Sequence, residues 1–165
     1  MTILVLSDSH STLSVMRLAI DRIRPDMILH LGDHYDDGEA MHEEHPHIAF
    51  YQVPGNCDRY RCPQWASEIL VIPAGGVKLY MTHGHRHYVK QTLSRLLADA
   101  RAAGVDAVLY GHTHEPMCAR EPDGLWVMNP GSSGYFGGSV GLMEIKDQKI
   151  ASCRLLRQDD LEAFV

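Results

Sequence analysis

The amino-acid sequence predicts an α/β domain, and three observations carry that expectation. Between residues 2 and 110, short apolar runs suited to buried strands alternate with segments of helical periodicity. From residue 117 onward the pattern is strand and turn, without a further long helix. A length of 165 residues, 45% of them hydrophobic, suffices for one core, so residues 1–165 are read as a single domain with a mixed sheet or two packed sheets.

Taken in order, Thr2 to Leu6 is a buried strand, and Leu13, Met16, Ile20 and Ile23 recur at helical spacing before Pro25 ends the helix. Met27 to Leu31 is the next strand, giving a β-α-β unit with parallel neighbours. A short polar helix is expected from Glu39 to His45, stopped by Pro46, and a third strand from Ile48 to Val53. Ile69 to Ile72 and Val77 to Met81 flank Pro73-Ala74-Gly75-Gly76 and read as a hairpin. Val89, Leu93, Leu96, Leu97 and Ala100 mark a helix ending at Gly104, followed by the apolar strand Val105 to Tyr110. Strands come next at Met117 to Arg120 and Leu125 to Met128. A final hairpin pairs Val140 to Ile145 with Ile150 to Leu156 across Asp147-Gln148. Gly134 to Ser139 reads as a flexible loop, and the polar tail from Gln158 as peripheral.

Bulk properties narrow the function. No apolar run approaches the roughly 20 residues of a membrane span, and the N-terminus reads as a first strand, not a signal peptide. Four cysteines (Cys57, Cys62, Cys118, Cys153) form no Cys-x-x-Cys pair, so reduced thiols in a cytoplasmic protein are expected. A net charge of −6 argues against general nucleic-acid binding. It leaves phosphate chemistry open, because bound metal ions can supply positive charge locally.

The chemistry concentrates after the strands. Five strand ends carry Asp8 and His10, Asp33, Asn56, His83, and the pair His112 and His114. All offer oxygen or imidazole nitrogen, and carboxyl ends of strands are where ligand sites assemble in α/β sheets. Seven such residues exceed the needs of one tetrahedral ion but suit two ions sharing a carboxylate. Two-metal sites of this kind hydrolyse phosphate esters.

These residues stand in ordered motifs: Asp8-x-His10, Gly32-Asp33, Gly55-Asn56-Cys57-Asp58, His83-Gly84-His85 and Gly111-His112-Thr113-His114. Over roughly residues 1–135 the chain thereby resembles the calcineurin-like metallophosphoesterases, in particular the small single-domain bacterial and archaeal phosphodiesterases. The resemblance implies a four-layer αββα sandwich of two mixed sheets. It also implies two divalent ions, manganese first, with nickel, iron or zinc as alternatives. Asp8, His10 and His114 would hold one ion and Asn56, His83 and His112 the other, with Asp33 bridging. The implied reaction is attack of a metal-bridging hydroxide on phosphorus, in line with the leaving oxygen.

Three further residues are candidates for the chemistry: Asn56 as a hydrogen-bond donor to phosphate, Cys57, and His85. His85 has no ligand role in the family pattern and is read as support behind the ligands, a phosphate contact or a plain loop histidine. Asp58 orients the loop or a ligand. Arg59 is either a phosphate contact or a solvated charge. His30, His34, His42, His45, His47 and His87 are read as solvated or structural. Cys57 departs from many relatives, which carry a histidine there that protonates the leaving group. A thiol is a weak donor without positive charge, which favours diesters with acidic leaving groups over alkyl monoesters. The expected partner is therefore a small phosphate diester, with no membrane or general nucleic-acid binding, and homo-oligomerisation left open. The rival readings are a non-enzymatic scaffold of the same fold, or a monoesterase or nuclease on the same metals.

Overall fold

The strand β1 (Thr2–Leu6) is apolar on both faces and sits at the centre of a five-stranded sheet. It pairs in parallel with β2 (Met27–His30), which pairs in parallel with β3 (Ala49–Gln52). On its other side lies the antiparallel hairpin of β9 (Ser139–Lys146) and β10 (Lys149–Arg157). The second sheet also has five strands, β4 (Ile69–Ala74), β5 (Val77–Thr82), β6 (Ala107–Leu109), β7 (Met117–Arg120) and β8 (Trp126–Asn129), in the order β4-β5-β6-β8-β7. In it β5, β6 and β8 are mutually parallel and the two edges antiparallel. The computed structural model describes residues 1–135 and 137–164.

Between the sheets lies one apolar layer, in which Ile3, Val5 and Leu29 meet Leu79, Met81, Leu109 and Met128. The outer face of the first sheet is covered by α1 (Ser14–Ile23) and α2 (Tyr35–Glu44), through Met16, Ile20 and Met41. The outer face of the second is covered by α3 (Ser94–Ala102), through Leu96 and Ala100. The expected αββα order is therefore present: helices, sheet, sheet, helix. Among the described residues, no helix is long and apolar enough to cross a membrane.

Three elements differ from the sequence reading. The helix α2 begins at Tyr35, not Glu39, because Asp58 reaches across to accept the Tyr35 N–H (2.9 Å). Asp36 and Asp37 also favour the positive end of the helix in its first turn. The helix α3 begins at Ser94, not Val89. A 3-10 turn at His85–His87 and a left-handed Tyr88 (φ 56°) delay it, and Val89 packs into the core from that turn.

The tail is the third difference. It folds into α4 (Gln158–Glu162), whose Leu161 is fully buried among Met16, Ile20 and Leu156. One apolar residue in a polar segment is too little periodicity to reveal it. Leu161→Ala should cost about 2–5 kcal/mol in urea denaturation. A change within about 0.5 kcal/mol would mark the tail as peripheral after all.

Candidate metal centre

The two sheets are aligned so that β1, β2, β3, β5, β6 and β8 all deliver their carboxyl ends to one edge of the sandwich. Backbone hydrogen bonds tie these ends together. Asp8 N–H donates to Gly32 O (3.0 Å), Gly111 N–H to His83 O (3.1 Å) and Ser133 N–H to Ser7 O (3.0 Å). The last joins the chain after β8 to the chain after β1, linking the two sheets.

The loops after β1, β2 and β6 turn abruptly through left-handed residues. Asp8 (φ 54°), His10 (47°), Asp33 (58°), His112 (68°) and His114 (61°) all take positive φ. Asp and His tolerate that region better than most residues, yet each costs roughly 1–3 kcal/mol. Concentration of such strain at one edge marks the place where side-chain direction outweighs backbone comfort. Close packing imposes a second constraint. A Cβ at Gly111 would lie 2.7 Å from Asp8 Oδ2 and collide with the Ser7 hydroxyl, and one at Gly55 would strike Asp33. Only glycine lets these loops approach the carboxylates so nearly.

The carboxylates are oriented by what occupies their other oxygen. Asp8 is fully buried, and its Oδ2 accepts the Ser7 hydroxyl (2.5 Å) and the His112 N–H (3.1 Å). Its Oδ1 is left facing His114 Nε2 (3.1 Å) and His10 Nε2 (3.8 Å). Asp33 Oδ1 accepts the Cys57 N–H (2.9 Å). Its Oδ2 lies 3.5 Å from His83 Nε2 and 3.9 Å from His10 Nε2, between the two groups of histidines. The sequence reading allowed a bridging carboxylate two oxygens to share; here the backbone claims one, and only Oδ2 reaches both sides.

His83 is fully buried, and its Nδ1 lies 2.8 Å from Leu31 O. A carbonyl only accepts, so Nδ1 carries a proton, and Nε2 is aimed at the oxygens of Asn56 (3.0 Å), Asp33 and Asp8 (3.9 Å), the direction from which its lone pair would reach an ion. The His112 ring stands 5.0 Å from that of His83, edge to face. All seven candidate ligands thus meet. Asp8, His10, Asp33 and His114 form a set of metal-binding type, one ligand atom of each lying within 4.8 Å of the others.

Electrostatics favour a cation here. Burial raises the Asp8 pKa, but hydrogen bonding to His10 and His114 outweighs it and holds the group far below the usual carboxylate range. Asp33 shows the same balance: burial raises it, His83 and the Cys57 N–H lower it, to about 2. His112 is driven down to about 4, by burial first and then by His83. The imidazoles answer in kind: the hydrogen bond to Asp8 raises the His10 pKa, and for His83 burial lowers it but Asp33 outweighs burial and raises it. Among the described residues no lysine or arginine pairs with either carboxylate. Buried charge needs a partner, and an oxygen-and-imidazole donor set fits divalent first-row ions.

The other candidates fall into place around this edge. The ring of His85 is 5.5 Å from His83 and 6.1 Å from His112, and its Nδ1 is buried without a hydrogen-bond partner among the described residues. Cys57 is exposed at the rim, with Asn56 Nδ2 3.6 Å from its sulfur. Partial burial of the thiol group, with Asp33 and Asp58 nearby, pushes its pKa up to about 11. Asp58 accepts N–H groups from Gly55 (2.7 Å) and Tyr35 (2.9 Å), so it holds the loop from behind. Arg59 lies over the Tyr60 ring, 5.5 Å from its centroid. Of the histidines read as structural or solvated, His30 is fully buried beside Ser9 Oγ (3.3 Å), and His87 is buried against Tyr80 and Asp99.

Two contributors escaped the sequence reading. Asn129 donates to Gly111 O (3.0 Å) and Thr113 Oγ1 (2.9 Å) and accepts the Gly131 N–H (2.9 Å), bracing the loop that carries His112 and His114. The signal was the Asn-Pro-Gly-Ser turn itself. Tyr135, in the segment read as a flexible loop, lays its ring 4.9 Å from His10 and 5.6 Å from His114. Nothing in the local pattern distinguished it from any loop tyrosine.

Comparison with known proteins agrees with this geometry. The chain is 33% identical over 136 residues to a probable metallophosphoesterase of Bacillus subtilis, covering 80% of this chain and 75% of that one. It is 28% identical over 167 residues to a phosphodiesterase of Methanocaldococcus jannaschii, covering 90% and 96%. A predicted phosphoesterase of Streptococcus pneumoniae superposes with a TM-score of 0.75 at 26% identity, over 96% of this chain and 90% of that one. Vps29 of Entamoeba histolytica, solved with zinc, shares the fold with a TM-score of 0.71 at 24% identity, over 95% and 98%. The family model of the calcineurin-like phosphoesterase superfamily domain matches residues 1–148, the span that contains every one of the gathered loops. On motif order, on the meeting of the loops and on this match, the chain belongs to the calcineurin-like phosphoesterase superfamily.

Proposed function

We propose that this chain is a metal-dependent phosphodiesterase with a dinuclear centre. The observation that carries the reading is the pair of buried, ionised carboxylates, Asp8 and Asp33, surrounded by imidazoles and lacking any arginine or lysine partner among the described residues. Asp8, His10 and His114 would hold one ion and Asn56, His83 and His112 the other, with Asp33 contributing to both. Manganese is the first candidate, and nickel, iron and zinc suit the same donors. Bound divalent ions supply Lewis acidity toward the phosphoryl oxygens and activate water at neutral pH.

The residues themselves do the positioning. The Leu31 carbonyl fixes the tautomer of His83, Ser7 and His112 N–H aim Asp8, and the Cys57 N–H aims Asp33. Asn56 and Cys57 are exposed, so substrate reaches the edge from that side. The neutral Cys57 thiol offers a leaving alkoxide little help, whereas an acidic leaving group of a diester needs none.

The test is hydrolysis of bis(p-nitrophenyl) phosphate and of a simple alkyl monoester, with manganese and after chelation. Diester turnover that chelation abolishes and manganese restores is the expected result; turnover by verified metal-free protein would overturn it. The scaffold alternative draws on the likeness of fold to Vps29, and the same assay separates it, because a scaffold need not turn over either ester. Cys57→His provides a finer check on substrate choice. General acid catalysis contributes about 10²–10⁴-fold where the leaving group needs a proton, so this variant should raise monoester relative to diester kcat/KM. With metal content unchanged, a flat ratio would remove Cys57 from leaving-group control.

A further inference from the structure

Beside the metal-binding edge, on the side of His10 and His114, lies a cavity of about 650 Å³. His114 and Tyr135 form its inner wall, Pro116, Gly137 and Gly138 its apolar surface, and Arg157 and Asp159 its rim. We propose that this cavity seats a nucleoside substituent of the phosphodiester, with the base stacked on Tyr135. The proposal rests on the phosphodiesterase reading and names its substrate class.

Four observations support it. Continuity comes first: His114 belongs both to the candidate ligand set and to the cavity wall, and the Tyr135 ring packs on His10 and His114. A group bonded to phosphorus at the edge thus enters the cavity directly. Size is the second, since the volume falls within the roughly 300–1,000 Å³ typical of small-molecule sites. Charge is the third. Arg157 and Asp159 bring one charge of each sign to the rim. They face the same space, so the rim balances and suits a neutral group over a second phosphate. The fourth is hydrogen-bonding sense. Ser132 Oγ donates to Asp8 O (2.7 Å) and accepts the Gly134 N–H (3.1 Å), and Ser139 Oγ donates to Pro130 O (2.7 Å), so what either hydroxyl of the lining has left is acceptor capacity. A nucleoside brings a π face for the tyrosine, N–H and O–H groups for the serines, and no charge.

A diester has a second arm, and the edge has a second cavity. On the opposite side, about 620 Å³ is lined by Asn56, Arg59 and His85 among others, which leaves room for the other substituent.

The experiment uses the metal-loaded protein and two p-nitrophenyl diesters, one of thymidine 5′-phosphate and one of methyl phosphate. Stacking of a base on an aromatic side chain corresponds to about 5- to 150-fold. Tyr135→Ala should therefore lower kcat/KM for the thymidine ester at least fivefold more than for the methyl ester, with the extra loss in KM. Tyr135→Phe should restore the preference. Equal losses on both esters, with loss of bound metal, would show that Tyr135 only supports His10 and His114 and would overturn the proposal. Calorimetry of thymidine 5′-monophosphate against inorganic phosphate gives a readout independent of turnover. The nucleotide should bind at least fivefold tighter than phosphate, and Tyr135→Ala should remove that margin. Equal affinities in the unaltered protein would exclude a nucleoside site, even if neither ester is hydrolysed. Absence of hydrolysis with the margin intact would instead overturn the diesterase reading alone.

Discussion

Asp33→Asn should lower diester kcat/KM by more than about 100-fold and reduce metal occupancy at both positions together. Loss of a residue that merely supports a metal ligand already costs about 10–100-fold, and Asp33 Oδ2, like Asp8 Oδ1, lies within 4 Å of both His10 and His83. The substitution removes charge while keeping shape. Asn Oδ1 can still accept the Cys57 N–H, so the Gly55-Asn56-Cys57 loop should stay in place. Asp33 titrates near 2, so the charge lost at neutral pH is a full one. In the metal-free protein His83 and the Cys57 N–H hold that charge in place, as its depressed pKa shows, so its removal should lower stability modestly. Retained activity with two bound ions would show that the shared ligand lies elsewhere, and a large stability loss without metal would recast Asp33 as structural.

Gly111→Ala should abolish most activity through geometry alone. The new methyl would sit 2.7 Å from Asp8 Oδ2 and overlap the Ser7 hydroxyl, both of them buried. Neither can move without breaking the hydrogen bonds by which Ser7 and His112 N–H aim Asp8. The loop must retreat instead, and it carries His112 and His114. Overpacking of this kind costs about 1–3 kcal/mol in stability, and a displacement near 1 Å can cost about 100-fold in rate. Gly104 is a useful contrast, since a Cβ there meets nothing within 4 Å. Gly104→Ala should lower stability through its left-handed φ of 64° while leaving metal affinity alone. Equal metal affinity in both variants would refute the close-approach explanation.

Much of this molecule was legible in the sequence for one reason: its buried strands are short apolar runs, and the ligands stand in the loops directly after them. Thr2–Leu6, Met27–His30 and Val77–Thr82 announce themselves in this way, and each leads into a candidate ligand. Helix starts were less legible. That of α2 depends on Asp58, 23 residues further along the chain, and local periodicity carries no trace of such a contact. Leu161 illustrates the same limit, being one apolar residue whose partners lie on α1. At the metal-binding edge the residue types could be read but their aim could not. Which oxygen of Asp8 or Asp33 faces inward is set by the Ser7 hydroxyl and the backbone N–H groups of His112 and Cys57. The positive φ of five candidate ligands leaves no mark on hydrophobic pattern. Tyr135 is the sharpest case, since its place over His10 and His114 depends only on the path of the chain after Pro130.

The chemistry proposed for this edge depends on two ions held by one set of seven residues. Elemental analysis of protein equilibrated with manganese and freed of excess, paired with anomalous diffraction from crystals of the same sample, reads that directly. Two ions per chain are expected, one at Asp8, His10 and His114 and one at Asn56, His83 and His112, with Asp33 Oδ2 between them. A single ion at saturation, or two ions at sites that do not share Asp33, would contradict the dinuclear centre.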